Sequence, residues 1–176
     1  IRTAKAYVGD GAQMVDIVHT ETCSLHLNPS KFTPEQIVVQ SLFSDGAIKY
    51  SCLGENEFTA SELSGFEILA QAEIIIPNTS QEMTWKTGGH RFDMSLSKNA
   101  PSILGESVKG FTKGLFEKAA LEFKRDKNSC TFAIHPGGPK IVDSVSSALE
   151  IDQSQVTHSK DVLFKRGNMS SATLPH

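Results

Sequence analysis

The chain has 176 residues, of which 39% are hydrophobic and 21% charged, ordinary values for a globular protein that can bury a core. The net charge of −3, with no basic cluster interleaved with aromatic residues, gives no reason to expect a nucleic-acid partner. No apolar run of about eighteen residues occurs and the first residues lack a signal-peptide pattern, so we expect a cytoplasmic protein without a membrane span.

The spacing of the three cysteines argues against a disulfide framework and against a cysteine-ligated metal site. Cys23, Cys52 and Cys130 show neither paired spacing nor the spacing of metal ligands. We therefore expect three reduced thiols and no metal site.

In chain order, the first part of the sequence alternates helical and strand patterns. Thr33 followed by Pro34 is typical of a helix start, and the turn 44–47 separates that helix from the next strand. The polar stretch Gly54–Leu63 reads as a linker between two subdomains. The predicted elements before it are a helix end over 1–7, a strand over 14–19 continued through 20–27, a helix over 35–43 and a strand over 48–53.

The second part continues the alternation. Phe92, Met94 and Leu96 fall on one face of a strand, and a hairpin is expected to turn at Gly88 and Gly89. The longest helix carries apolar residues at spacings of three and four, and close packing against a neighbour would account for its three glycines, 105, 110 and 114. The predicted elements are strands over 66–76, 83–96 (the hairpin) and 129–134, helices over 101–123 and 139–149, a polar connection over 153–159 and a helical turn over 161–164. Strands alternating with helices favour an α/β fold.

Two short motifs carry the chemistry. FAIHPGGPKI (132–141) is an apolar run that ends on His135 and turns into a helix, and GNMSSA (167–172) is a small-residue loop with one amide, Asn168. An imidazole and a carboxamide are neutral hydrogen-bond donors that could face one carbonyl oxygen, as stabilisation of an oxyanion or enolate requires. Of the other histidines, His26 is expected to line a pocket, and the surface is predicted for His19, His90, His158 and His176.

Both motifs in this order resemble the C-terminal half of a type III polyketide synthase, the chalcone-synthase-like branch of the thiolase superfamily. The resemblance implies a thiolase-like layered αβαβα fold, incomplete in this chain, with residues 1–54 ending one half and 55–176 forming most of the other. It also implies a homodimer that needs no cofactor, with malonyl-CoA and an acyl-CoA starter as substrates.

The implied reaction is a decarboxylative Claisen condensation. His135 and Asn168 would donate to the thioester oxygen of the enolate, and one such donor is typically worth about 10²–10³ in rate. His135 would also help to keep a nucleophilic thiol ionised. That cysteine is expected just upstream of Ile1, so the chain alone is expected to be inactive.

The resemblance also implies substrate-binding positions. SLFSDGA (41–47) is similar to a family turn whose Phe gates the cavity, although Ser44 departs from the usual Gly. Met94 stands where plant chalcone synthases carry an aromatic residue, which favours a bacterial-type member that takes a long acyl starter as readily as a chalcone precursor. The implied substrate-binding residues are Cys23, Leu25, His26, Phe43, Met83, Trp85, Met94, Leu96, Gly137, Gly138, Lys140 and Ser170.

Two alternatives remain at this point. One is a condensing enzyme like ketoacyl synthase III, which would use acyl carrier protein in place of free CoA. The other is a non-catalytic homologue that binds acyl thioesters or serves as a dimer partner.

Overall fold

A computed structural model describes residues 1–88 and 92–176. Within these residues the strands form two separate antiparallel pairs, and most of the helices follow them in sequence. The elements are α1 (Arg2–Gly9), β1 (Met14–Glu21), α2 (Pro34–Leu42), β2 (Gly46–Leu53), α3 (Glu55–Ala60), β3 (Met83–Thr87), β4 (Phe92–Leu96), α4 (Ala100–Lys118), α5 (Phe123–Asp126), α6 (Pro139–Leu149) and α7 (Thr157–Arg166).

The first sheet joins β1 to β2. Its register runs from Met14 opposite Leu53 to Glu21 opposite Gly46. Successive residues of β1 alternate between exposed and half-buried, so its odd-numbered residues from 15 to 21 share the inner face. Both predicted strands are confirmed, and so is α2, whose first turn is capped by the Thr33 hydroxyl accepting from the Gln36 N–H.

The predicted continuation of the first strand through residues 20–27 is wrong beyond Glu21. A 3₁₀ helix covers Cys23–His26. The Ser24 N–H and hydroxyl donate to the two carboxylate oxygens of Asp45, at 2.7 and 2.6 Å. A side-chain acceptor thus replaces the sheet ladder at this point and turns the chain.

The predicted linker Gly54–Leu63 is wrong in its first half. Gly54 is the N-cap of α3, and Glu55 and Glu57 lie in its first turn, where negative charge is favourable. Polar composition alone therefore did not distinguish a short exposed helix from a loop.

The hairpin prediction is confirmed for its two strands. β3 and β4 pair with Met83 opposite Leu96 and Thr87 opposite Phe92. The predicted turn residue Gly89, the His90 surface prediction and the side chain of Phe92 lie outside the described residues.

The main apolar core lies where α6 and α7 meet the segment around α5. Its buried members are Phe123, Val142, Val145, Leu149, Ile151 and Val156. The α4 helix packs on α6, and a Cβ added at Gly105 would lie 2.9 Å from the Ser144 hydroxyl oxygen. The packing explanation is thus confirmed for Gly105, but Gly110 and Gly114 have nothing within 4 Å of such a Cβ.

Three further expectations are corrected after residue 60. The predicted strands 66–76 and 129–134 pair with no strand among the described residues, and Phe66 and Ile75 are almost fully exposed. A strand needs a ladder partner, and the 129–134 segment starts instead in a 3₁₀ helix, Lys127–Ser129. The long helix ends at Lys118 rather than at 123, because Ala120 adopts a positive φ of 57°.

The polar connection predicted over 153–159 is also helical. Asp152 and Gln155 form a capping box that begins a 3₁₀ helix, Gln153–Val156, and the chain continues directly into α7. The predicted helical turn 161–164 is therefore the middle of a longer helix, and the predicted helix 139–149 is confirmed as α6.

Two features are absent from the described residues: a membrane-spanning helix and a metal-ligand cluster. None of their helices is both long and apolar enough to cross a bilayer. No group of three or more His, Cys, Asp or Glu side chains in this part of the chain could hold a metal ion. Cys23, Cys52 and Cys130 are free and half-buried.

Candidate active site

The loop that carries Asn168 is fixed by its backbone. It begins at Gly167, which has a φ of 77° and where a Cβ would lie 3.2 Å from the Leu42 carbonyl oxygen. The Asn168 N–H donates to the Leu42 carbonyl at 2.8 Å, and the Asn168 carbonyl accepts from the Ser44 N–H at 2.9 Å. The end of α2 and the GNMSSA loop therefore form a short parallel bridge.

The Asn168 side chain is oriented by its oxygen. Asn168 is only 2% exposed. Its Oδ1 accepts from the Ser170 N–H at 2.9 Å, and the Thr173 hydroxyl, which lies 3.4 Å from Oδ1, donates to the Ser170 carbonyl at 2.8 Å. Within the described residues no acceptor takes the Nδ2 protons, so the amide presents a donor whose direction its own loop sets.

His135 lies on an extended segment that is tied to the start of α7. The Phe132 N–H donates to the Gln155 carbonyl at 2.8 Å, and the Ile134 N–H donates to the Ser159 hydroxyl at 2.9 Å. The His135 carbonyl accepts from the Gly137 N–H at 2.9 Å, which closes the turn before α6.

The imidazole of His135 borders an apolar groove of about 540 Å³ between α4, α6 and the segment 130–135. The residue as a whole is exposed, but partial desolvation of its ring lowers the pKa of His135 below the ordinary value. A lowered pKa favours the neutral imidazole, which can donate one N–H.

The two motifs approach each other at Leu42. Its carbonyl holds the Asn168 backbone, and a Cβ built on Gly138 would lie 3.5 Å from its Cδ1 atom. The turn after His135 and the loop of Asn168 therefore both border the end of α2.

A second cavity, of about 130 Å³, is lined by Phe43 and Ser44, which directly follow Leu42, but by neither His135 nor Asn168. Five of the predicted substrate-binding residues line it. They are Cys23, His26, Phe43, Trp85 and Met94. His26 and Phe43 each meet the Trp85 ring edge to face, with ring centroids 5.2 and 6.5 Å apart, so three rings of different segments define one wall.

The other predicted binding residues lie elsewhere. Leu25 and Met83 are exposed to 71% and 59% and do not line this cavity, and neither does the half-buried Leu96. Gly138 and Lys140 lie at the N-terminal end of α6, with Lys140 exposed. Gly137 precedes them in the same turn, and Ser170, two residues after Asn168, has a φ of 51°.

A family model described as "Chalcone and stilbene synthases, C-terminal domain" matches residues 67–176, more than half of the chain. The chain belongs to the chalcone and stilbene synthase family. A protein of Dictyostelium discoideum named "Probable polyketide synthase 1" is 31% identical over 160 residues, which are 90% of this chain and 5% of that protein.

Two solved structures share the fold. The C-terminal type III polyketide synthase domain of Steely1, a type I/III hybrid from Dictyostelium, matches with a TM-score of 0.82 and 28% identity over 98% of this chain and 48% of that one. The 1,3,6,8-tetrahydroxynaphthalene synthase of Streptomyces coelicolor matches with a TM-score of 0.84 and 23% identity, over 98% and 47%. The predicted thiolase-like α/β fold is confirmed, and the chain spans about half the length of these solved chains.

Cys23, which lines the smaller cavity, is not poised as a nucleophile. Burial, followed by the carboxylates of Glu21 and Asp45, raises the pKa of the Cys23 thiol. A thiol acts through its ionised form, which this environment disfavours.

Sequence reasoning missed a polar cluster next to the Asn168 loop. His19, predicted to lie on the surface, is half-buried, and its two ring nitrogens lie 2.9 Å from the Ser171 hydroxyl and 3.1 Å from the Tyr50 hydroxyl. The alternation along β1 could have placed His19 on the inner face with Ile17 and Glu21, but it could not have indicated the partners Ser171 and Tyr50.

Proposed function

We propose that this chain supplies the enolate-stabilising groups of a type III polyketide synthase, an acyltransferase. The observation that carries this proposal is the meeting of the two motifs at Leu42, whose neighbour Phe43 lines a cavity together with His26 and Trp85. His135 and Asn168 contribute the two N–H groups, both uncharged, that face one thioester oxygen.

The reaction begins with malonyl-CoA. The bond between its α-carbon and its carboxylate breaks, carbon dioxide leaves, and the electron pair moves onto the thioester oxygen as an enolate. The imidazole N–H and the carboxamide N–H stabilise that negative charge. The enolate carbon then attacks an acyl group carried on a cysteine, a new carbon–carbon bond forms, and the thiolate is released.

The two parts of the substrate, the CoA arm and the acyl chain, bind on different sides of the site. The turn Gly137–Gly138 and the N-terminal end of α6, with Lys140, receive the pantetheine arm of CoA, because the freed N–H groups there favour carbonyl dipoles and anions. The acyl chain extends toward the cavity gated by Phe43. Leu25, Met83, Leu96 and Ser170 remain proposed contacts of longer substrates.

The nucleophilic cysteine is supplied by residues outside this sequence, and the complete enzyme acts as a cytoplasmic homodimer without a cofactor. The raised pKa of Cys23 supports the first part of this proposal. Residues 1–54 then close one half of the synthase and residues 55–176 contribute most of the other.

The proposal is tested by the decarboxylation of malonyl-CoA in the synthase that contains this chain. His135→Ala should lower the rate by about 10²–10³, the usual effect of losing one such donor. His158→Ala is the matched control, because His158 is exposed on α7. Decarboxylation at the wild-type rate in His135→Ala would remove this histidine from the mechanism.

A second experiment tests the missing nucleophile. The purified 176-residue chain, given malonyl-CoA and an acyl-CoA starter, should release no CoA above the rate without protein. Steady release of CoA would show that one of the cysteines present performs acyl transfer, and separate Ser variants of Cys23, Cys52 and Cys130 would then identify it.

A further inference from the structure

Four polar side chains of β1, β2 and the GNMSSA loop form one continuous chain of hydrogen bonds, which we call the relay: Tyr50, His19, Ser171 and Glu21. The Tyr50 hydroxyl lies 3.1 Å from His19 Nε2, and His19 Nδ1 lies 2.9 Å from the Ser171 hydroxyl. The Ser171 hydroxyl donates to Glu21 Oε1, and the Ser171 N–H donates to the same oxygen at 3.2 Å. The His19 and Tyr50 rings also stack, with centroids 5.5 Å apart.

The relay has a single direction. A carboxylate only accepts hydrogen bonds, so the Ser171 hydroxyl proton is committed to Glu21. His19 Nδ1 must then be the donor to the Ser171 oxygen, and Nε2 of a neutral ring accepts from Tyr50. In a neutral ring, these contacts therefore require the Nδ1–H tautomer of His19.

The relay acts on the segment that carries Asn168. Ser171 is three residues from Asn168, in the 3₁₀ turn Ser170–Ala172. Met169, which lies between them, is 3% exposed and packs tightly against Gly46 of β2. A Cβ added at Gly46 would lie 2.7 Å from the Cβ of Met169. The loop is therefore attached to the first sheet twice, by an apolar contact at Met169 and by the relay at Ser171.

We propose that His19 and Glu21 are positioning residues, which hold the Ser171 turn so that the Asn168 amide keeps its direction. This inference rests on the proposed function of Asn168. Neither residue touches the reacting atoms, so their loss should change the rate of the chemical step and leave substrate affinity unchanged.

The first test is spectroscopic and needs no activity. Long-range ¹H–¹⁵N correlation spectra of the synthase labelled with ¹⁵N-histidine should show the Nδ1–H tautomer for His19, with the signal assigned by its loss in His19→Asn. Tyr50→Phe should make that signal shift. A His19 signal of the Nε2–H form would overturn the relay.

The second test is kinetic. His19→Leu should lower kcat for malonyl-CoA decarboxylation by about tenfold to a hundredfold, the scale of a small misplacement of a reacting group, with KM unchanged. His19→Asn should restore most of kcat, since its carboxamide N–H can replace Nδ1–H as the donor to Ser171. Thr20→Val, an exposed change of similar shape between the two positioning residues, should leave both constants unchanged.

The outcomes separate this inference from the proposed function. A wild-type kcat in His19→Leu, or no recovery in His19→Asn, would overturn the positioning role even where His135→Ala is inactive. Absence of decarboxylation in the wild-type synthase would contradict the proposed function, and the positioning role with it.

Discussion

The two sides of the candidate site are held in different ways. Asn168 is almost fully buried, its backbone bridges Leu42 and Ser44, and its amide oxygen accepts from the Ser170 N–H. His135 is exposed, stands on a segment without a strand partner among the described residues, and borders an open apolar groove.

This contrast shows which of the two side chains has a fixed direction before a substrate binds. The direction of the amide is determined by contacts within the loop and with α2. The imidazole depends on two hydrogen bonds of its segment, those of Phe132 and Ile134, to the region that starts α7. A substitution at Asn168 should therefore change the activity by removing a hydrogen-bond donor of fixed direction. A substitution on the other side should act by moving the segment 130–135 that carries His135.

The largest effect is expected from Asn168→Asp. The change keeps the oxygen that accepts from Ser170 but replaces the Nδ2 donor with a negative oxygen that repels an enolate. Decarboxylation of malonyl-CoA by the synthase should fall by at least about 10²–10³, the effect of losing one donor. Asn99→Asp, at the exposed N-cap of α4, is the control and should leave the rate unchanged. A rate within twofold of wild type for Asn168→Asp would contradict the donor role.

The next effect is expected from Gly46→Ala. The added Cβ would lie 2.7 Å from the Met169 Cβ, so the loop or the start of β2 must shift. Overpacking of this kind usually costs about 1–3 kcal/mol, which a urea midpoint should show as a loss of stability together with a lower decarboxylation rate. Gly110→Ala is the matched control, because nothing lies within 4 Å of its added Cβ, and it should stabilise α4 by up to about 1 kcal/mol. Equal midpoints for the two variants would show that the loop is not packed as described.

A smaller loss of stability is expected on the other side from Ser159→Ala. Ser159 is 5% exposed and its hydroxyl accepts from the Ile134 N–H, so the change leaves that N–H without its partner. An unpaired buried donor costs about 1–3 kcal/mol of folding stability, and a water molecule entering beside Ile134 would bring the loss toward the lower end of that range. The decarboxylation rate should fall because the segment of His135 loosens. Ser154→Ala, at an exposed position, serves as the control. No change in either rate or midpoint would show that the Ser159 bond does not hold the segment.

The smallest effect concerns pH. Desolvation lowers the pKa of His135, so its ring should titrate below about 6.5, the ordinary histidine value, in a histidine NMR titration. The unfolded chain then binds the proton more readily than the folded one, and this residue's contribution to stability is lost as pH falls from about 6.5 through the folded-state pKa. A titration midpoint at or above the ordinary value would show that the ring is well solvated.

Much of this arrangement could be predicted from local sequence. Thr33 and Pro34 gave the start of α2, and the spacing of apolar residues gave α4 and α6. The two motifs indicated the family because their residue types and order are specific. The strands over 66–76 and 129–134 could not be judged locally, because a strand exists only with a hydrogen-bonded partner that the pattern of one segment does not contain.

The polar contacts of the site were harder to predict from the sequence. The turn at Cys23–His26 follows from Asp45, which is twenty-two residues away from Cys23 in sequence, and the bonds of His19 follow from Ser171. Contacts of this range are made by the fold and leave no mark in a short window. The roles of His135 and Asn168, and the division of the chain at residue 54, stay predictions.

The most direct measurement is a double-mutant cycle on malonyl-CoA decarboxylation, with His135→Ala, Asn168→Ala and the double variant in the intact synthase. If both N–H groups donate to one enolate oxygen, their effects are coupled, and the double variant should be less impaired than the product of the two single losses, by about 0.5–3 kcal/mol. Single losses that multiply without any coupling would show that the two side chains act at separate places, which contradicts a shared oxygen.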